Sequence, residues 1–324
     1  MCLESVAITA EDMSTITDRI ERVLGIPRLA SLLAEELEPT DLQSLLLDVY
    51  RRLVARRPTN AILDDHTRNR FVRPSTISPI QLLEWDRTAF GLLPSGFEAI
   101  ELAPVCPLGA SAAMAGLSPD RALATIRNTE VVSDSTNVLA LEAAVRRRAL
   151  KRVGPRSATP VHLAASHRLL RTQDYRNPAL SSHFRIFSLC SAGRDRGSFA
   201  MELEMLGLQI QFYLRAIGAF LDNPIPLRLS LTPLASGASM TAATHRLIRE
   251  VVDGFPHVQV TIDAERTVGR EYYRTMCFWI HAESTHLVDG GFVDWTQRLL
   301  GDAKERLLVS GLGSDRICTL RFSK

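Results

Sequence analysis

Cysteine is sparse in this chain and follows no pattern. Five cysteines (Cys2, Cys106, Cys190, Cys277, Cys318) are scattered through 324 residues, an odd number with no CxxC pair. Their spacing suggests neither a zinc site nor a disulfide framework, and reduced thiols fit a cytoplasmic protein. Long apolar runs are also missing, so no segment reaches the roughly eighteen residues of a membrane span. The N-terminal MCLESVAITAEDM is acidic and lacks the basic-then-apolar pattern of a secretory signal. There is no excess of one charge: Lys and Arg number 38 against 36 Asp and Glu, for a net charge of +2. That balance leaves no footprint for an extended nucleic-acid surface. The strings Gx4GK[ST], GxSxG and HExxH do not occur, and the eight histidines show no zinc-site spacing. P-loop, serine-nucleophile, metalloprotease and bound-metal readings therefore lack support. What is present is an ordinary globular composition, 46% hydrophobic and 23% charged, ample for one large core or two domains.

The residues up to 58 read as helical. TAED at 9–12 and TDLQ at 40–43 have the spacing of capping boxes. In the run that follows the second, Leu42, Leu45, Leu46, Val49, Leu53 and Val54 recur near a 3.6-residue period. Such a helix packs on its own domain or serves a partner. Residues 58–79, polar and with three prolines, read as a connector, so the boundary is set at a 1–75 helical extension and a 76–324 main domain. Asp64, Asp65 and His66 fall in that connector, where adjacent side chains do not converge on a metal by themselves.

Beyond it, ISPIQLLEWDRTAF predicts a helix and GFEAIELAPV a strand ending at Pro104. STNVLALEAAVRRRALKR at 135–152 predicts a helix whose basic end complements its dipole. VHLAASHRLLRTQ and HFRIFSLCSA predict two strands, SFAMELEMLGLQIQFYLRAIGAFL a long helix, and PLRLSLTPL, HVQVTIDA and YYRTMCFWIHA three more strands. The order is not the regular alternation of a parallel sheet, so an α+β domain on an antiparallel sheet flanked by helices is expected.

Polar residues concentrate in three apolar settings. HRLLRTQDYRNPALSSHFRIF at 167–187 carries Arg168, Arg171 and Arg185 on two strands around a turn-rich loop; guanidinium groups on rigid strands suit bidentate contact with phosphate or carboxylate. They also suit a plain surface edge. VSGLGSDRI at 309–317 places Arg316 just after a GLG turn. TIDAERTVGREYYRTMCFWI at 261–280 sets Asp263, Arg266, Arg270, Glu271, Tyr272 and Tyr273 where a cleft lining and an internal salt-bridge network are equally open readings.

Taken in order, these stretches resemble the catalytic core of class II aminoacyl-tRNA synthetases, closest to histidyl-tRNA synthetase-like paralogues, over about residues 80–320. ISPIQLLEWDRTAF with GFEAIELAPV looks like the first motif, with Gly96 and Pro104 in place. LRTQ, the loop and HFRIF look like the second, and LLVSGLGSDRI like the third. TEVVSDSTNVLALEAA and the double-tyrosine segment resemble the amino-acid pocket of the histidyl branch. The resemblance implies ATP and Mg²⁺ as cofactors, with Arg171 on the α-phosphate and Arg316 on the γ-phosphate. It implies His183 as the loop-closing basic residue, Gln173 at the place of a glutamate, and Phe187 as the ring stacked on adenine. Asp134, with Thr136, would hold a substrate amine, and Arg270, Tyr272 and Tyr273 would line the pocket.

This implies activation of an amino acid or small carboxylate as an acyl-adenylate, with a small molecule or carrier protein as acceptor, in a homodimer built on the first motif. The chain ends eight residues after Arg316. No anticodon-binding domain is thus expected, and tRNA is not the expected acceptor. Three departures, Gln173, Leu189 and Val268, fit a second reading: a non-catalytic paralogue like the regulatory subunit of ATP phosphoribosyltransferase.

Overall fold

The computed structural model describes residues 10–154, 156–173, 181–221 and 225–322. The chain opens with helices α1 (Ala10–Leu24), α2 (Leu29–Ser31), α3 (Pro39–Val54) and α4 (Thr59–Arg68). Thr9 of the first expected capping box lies outside the described residues. At the second, Pro39 takes the first helical turn behind Glu38, with no side-chain cap, so Thr40 sits inside α3. Proline's fixed φ and missing N–H suit that position, and it displaces the threonine from the capping role. Helix α4 corrects the connector reading: Pro58 stands just outside it as N-cap instead of breaking it. Asp64, Asp65 and His66 then fan out around its axis. Among the described residues no group of three or more His, Cys, Asp or Glu side chains could hold a metal ion. None of the side chains described between 16 and 81 is buried, α3 included; the core begins at Leu82.

Helix α5 (Pro79–Gly91) starts where Ile80 N–H donates to the Ser78 hydroxyl at 3.3 Å, and it buries Leu82, Trp85 and Ala89. The strand expected over 96–105 splits in two. β1 (Phe97–Ala99) joins the main sheet, and β2 (Val105–Pro107) leaves it to pair with β3 (Thr129–Val131). Pro104 between them has no N–H for a ladder, and its carbonyl accepts from Val132 N–H at 3.2 Å. Next come α6 (Ser135–Val153), β4 (Val161–Leu170), β5 (His183–Arg194), α7 (Ala200–Phe220), β6 (Leu227–Pro233) and α8 (Ala238–Gly254). The chain continues as β7 (Val258–Ile262), β8 (Arg274–Ala282), β9 (Thr285–Val293), α9 (Trp295–Leu300), β10 (Glu305–Gly313) and α10 (Ser314–Phe322). The sequence pattern leaves α8 unassigned.

Eight strands form one sheet in the order β1-β4-β5-β10-β9-β8-β6-β7. Its body is antiparallel, as expected; the edge pairs β1–β4 and β6–β7 are parallel. Alternation along the strands divides the sheet into two faces. One face packs Phe187, Leu189, Leu308, Leu312, Phe278 and Ile280 against α5 and α7. The other packs Leu163, Ala165, Cys190, Ala192, Leu307 and Val309 against Leu139, Ala140 and Ala143 of α6. A fully buried ion pair bolts α6 to β10: Arg147 donates from Nε and Nη2 to Glu305 at 3.0 and 2.9 Å, and to the Thr159 and Ser157 carbonyls. Such a pair is tolerated in the interior because its remaining donors are satisfied.

Candidate functional site

The register of the β4–β5 hairpin decides which of its side chains meet. Leu170 pairs with His183, Leu169 with Phe184 and Ser166 with Phe187. Phe184, Ile186 and Ser188 therefore share the α6 face with Leu169 and Ala165. His183, Arg185 and Phe187 share the α5 face with Arg168 and Ser166.

Arg171 continues β4 by one residue, its N–H donating to Ser182 O at 2.8 Å. Its Nε donates to the Ser133 carbonyl at 2.9 Å and its Nη2 to Asp134 Oδ2 at 3.2 Å, and the guanidinium lies over the Phe184 ring at 5.2 Å. Asp134 has a second task. Its Oδ1 caps α6 by accepting from Thr136 N–H and hydroxyl at 2.9 and 2.8 Å. A carboxylate at a helix N-terminus is stabilised by the unsatisfied N–H groups there, so Asp134 is fixed before any ligand arrives.

Tyr272 and Tyr273 close the other side of this group. Their rings stand edge to face, 5.0 Å apart, and Tyr272 leans on Trp295 at 5.5 Å. Burial, and then the negative charge of Asp134, push the Tyr272 hydroxyl well above its ordinary range; burial and Asp289 do the same to Tyr273. Both remain protonated donors at neutral pH. Gly291 permits the arrangement, because a Cβ there would come within 2.5 Å of Tyr273 Cδ1 and 2.7 Å of Cys277 Cβ.

Beyond the tyrosines lies a pair the sequence only half announced. Arg266, its side chain 1% exposed, donates to Asp289 Oδ1 at 3.0 Å and to the Val268 carbonyl at 2.9 Å, and stacks on Trp279 at 3.9 Å. Of the charged residues singled out in 261–280, Arg266 makes a buried ion pair, with an acid that comes from β9 and not from that stretch. Burial raises the Asp289 carboxyl, and Arg266 pulls it back. Val268, two residues on, is exposed.

The structure thus gathers Arg171, Asp134, Thr136, Tyr272 and Tyr273 on one face. It does not gather the others with them. Phe187 is 0% exposed and packs in the core between Trp85, Phe90 and Phe212. The register puts it on the opposite face from Arg171, so it offers no surface to a base; Phe184 is the ring beside Arg171. His183 is likewise turned away, with Nε2 2.5 Å from the Arg73 carbonyl and Nδ1 3.0 Å from Arg168 Nη1. Arg185 pairs with Asp86 of α5 at 2.5 Å. Gln173 is exposed, its carbonyl taken by Arg70 Nη1 at 2.7 Å; residues 174–180 of the loop lie outside the described residues. Arg270 stands exposed in the turn after Gly269. Arg316, also exposed, reaches from α10 to β9, donating to the His286 carbonyl at 3.0 Å. Phe184, Asp289, Trp279 and His286 carried no assigned role; strand parity, fixed by a register the sequence does not state, brings the first three to this face, and a register shift between Ile280 and His281 sets His286 opposite His281.

No family model and no curated protein matches the chain. Solved structures do. An ATP phosphoribosyltransferase regulatory subunit/histidyl-tRNA synthetase from Bacillus halodurans superposes with TM-score 0.59 at 12% identity, over 78% of this chain and 82% of that one. Histidyl-tRNA synthetase from Nostoc sp. gives 0.57 at 13%, over 78% and 74%. The S. aureus apo enzyme gives 0.55 at 14%, over 77% and 69%. At such identities the likeness concerns fold alone. This chain has a class II aminoacyl-tRNA synthetase-like core, a large central sheet flanked by helices, with histidyl-tRNA synthetase and its ATP phosphoribosyltransferase regulatory-subunit paralogue as structural neighbours.

Proposed function

We propose that the chain uses ATP to activate an amino acid or related carboxylate as an acyl-adenylate. The observation that carries this reading is the preorganised set of Arg171, Asp134, Thr136 and the two tyrosines on one sheet face. In that reaction the carboxylate attacks the α-phosphorus and pyrophosphate leaves, with negative charge gathering in the transition state. Arg171, held by Ser133 and Asp134, would meet that charge from a fixed position, where electrostatic stabilisation is strongest. Asp134 would exchange Arg171 for the substrate ammonium, keeping its N-cap bonds. Arg316 would meet the phosphate tail. Phe184, on the same face, would support the base. Mg²⁺ would enter on the phosphates of ATP, since the described residues offer no three-carboxylate cluster and magnesium accepts such shared coordination.

Amino-acid-dependent ATP–pyrophosphate exchange tests this across the twenty amino acids and common analogues. Exchange with one carboxylate, lost in Arg171→Ala, is expected. No exchange and no ATP binding by calorimetry would overturn the reading.

A second reading is favoured by a specific observation: Arg171 and Asp134 are already paired with each other, and Phe187 is withdrawn into the core. A regulatory subunit that keeps the pocket as a ligand sensor would need no more. Amino-acid binding without exchange would select it. Under either reading a homodimer through α5 and β1 is proposed, supported by Ile80 and Leu83, which stand exposed on α5. A monomer by light scattering at micromolar concentration would rule that out.

A further inference from the structure

Helices α1, α3 and α4 carry apolar stripes that nothing among the described residues covers. On α1, Ile16, Ile20, Val23 and Leu24 fall on one face and all are exposed, Val23 by 76%. On α3, Leu45, Val49 and Leu53 repeat at i, i+4 and i+8, with Leu53 54% exposed, and on α4 Leu63 is 64% exposed. Helices of 15, 16 and 10 residues are marginal alone in water and draw most of their stability from burying such a face. Polar contacts hold the segment against the sheet domain: Asn128 donates to Gln43 at 3.3 Å, and Arg70 donates to the Thr172 and Gln173 carbonyls at 2.6 and 2.7 Å. Contiguous apolar surface of this kind marks an interface.

Charge points to what covers it. From Ile16 to Asp41 the sequence has six acids against three arginines, and from Arg51 to Arg73 it has seven arginines against two acids. The two arms do not neutralise each other within the chain. Asp18, Glu35 and Glu36 on one side, and Arg51, Arg56 and Arg68 on the other, make no side-chain ion pair among the described residues. Arg52 pairs with Asp48 and Arg57 with Asp65, both inside the α3–α4 stretch. Each arm therefore presents apolar side chains beside uncompensated charge, and the complement of either arm is the other one.

We propose that the α1–α4 segment docks on the same segment of a second copy of this chain, the acidic arm of each lying against the basic arm of the other. Two-fold symmetry makes the arrangement self-consistent, since a patch that meets its complement in one direction meets it again in the other. Repulsion keeps like arms apart and so fixes the antiparallel register. A foreign partner would have to carry both signs in matching order, which the chain itself already does. The contact is distinct from the one through α5 and β1, and it depends on neither reading of the chemistry. It adjoins the hairpin that bears Arg171, because Arg70 and the Arg73 carbonyl, 2.5 Å from His183 Nε2, hold the base of the β4–β5 loop.

The α5 contact is first broken with Ile80→Asp/Leu83→Asp, two side chains exposed at 62% and 60%. Light scattering of that full-length chain should still give a dimer at micromolar concentration. In the same background one variant reverses the basic arm, Arg51→Glu/Arg56→Glu/Arg68→Glu, and another the acidic arm, Asp18→Lys/Glu35→Lys/Glu36→Lys. Either reversal should weaken self-association at least about a hundredfold, and equimolar mixing of the two reversed chains should restore the dimer. Each chain is shown folded by its unfolding transition. A monomer before reversal, a dimer that survives either reversal, or reversed chains that stay monomeric when mixed would each overturn the proposal. In the unsubstituted chain, trypsin cleavage after Arg51 and Arg56 should slow as protein concentration rises from about 1 to about 100 μM. Cleavage indifferent to concentration would count against the proposal just as decisively.

Discussion

Two phenylalanines three residues apart, Phe184 and Phe187, show how differently the two faces of one hairpin are used. Phe187 meets Trp85, Phe90 and Phe212 with ring centroids 6.0, 4.9 and 5.6 Å away, in a core shared by α5 and α7. Phe184 is half-buried and meets the Arg171 guanidinium. The same contrast separates two arginines of the α6 face. Arg147 is sealed against Glu305, whereas Arg171 keeps about a third of its side chain exposed beside Asp134. In each pair one member holds the fold together and the other is left available. Residue type does not distinguish them; burial and partners do.

The largest expected effects fall on the sealed members. Arg147→Ala strands the Glu305 carboxylate in the interior and costs about 3–5 kcal/mol in denaturant unfolding. Phe187→Ala opens a cavity among three aromatic rings and costs a similar ~3–5 kcal/mol. Phe184→Ala stays near ~1 kcal/mol, since its ring is only half covered. If Phe184→Ala proved the more damaging of the two phenylalanine changes, the register drawn for the hairpin would be wrong.

Next in size is Gly291→Ala. The new methyl has to displace the Tyr273 ring or the Cys277 side chain on β8, and overpacking of that kind costs about 1–3 kcal/mol. Because Tyr273 belongs to the proposed site, ligand affinity should fall with it. A neutral result would mean that Tyr273 moves freely and does not shape the site.

Acidity probes the same contrast through four half-buried or buried histidines. His162, His167, His281 and His286 are all depressed, first by burial, and His286 falls to about 4. Between that value and the unfolded value near 6.5, the unfolded chain binds more protons, so stability is lost as pH falls through this window. Thermal unfolding from pH 7 to 4 should show a falling midpoint, with a shallower slope in His286→Gln. A slope unchanged by that substitution would place His286 in a solvated environment, contrary to the packing described.

Much of the architecture was legible. The 3.6-residue periodicity of α3, the helix over 135–152 with its basic end and the apolar strands all follow local rules that the sequence states directly. The mixed order of helices and strands pointed to the α+β class, and the ordered motifs pointed to the kind of core. Parity was not legible. The family resemblance implied that Arg171 and Phe187 act together, but a motif does not carry the register of β4 on β5, which depends on the whole loop and on packing across the sheet. A shift of one residue exchanges Phe187 for Phe184. Likewise Val268 drew attention as a departure, while Arg266 reaches Asp289 and Trp279 from two residues upstream, beside the turn at Gly269. Motifs record which residue types are present; the pleat decides which of them face each other.

Arg171→Ala should have the smallest effect on stability and the greatest consequence for the proposed chemistry. Its ion pair with Asp134 joins two partly exposed side chains, and such pairs contribute about 0–1 kcal/mol. Asp134 would keep its bonds to Thr136, so the cap of α6 survives the loss. The Ser133 carbonyl, in a buried residue, loses the Nε donor, and water entering the space left by the part-exposed guanidinium can replace it. The unfolding midpoint should therefore move by no more than a few degrees, while exchange activity or nucleotide affinity disappears. The opposite outcome, a large drop in stability with ligand binding intact, would place Arg171 with Arg147 among the structural arginines. The hairpin would then be a scaffold, and the functional centre would shift toward Arg266 and Arg316.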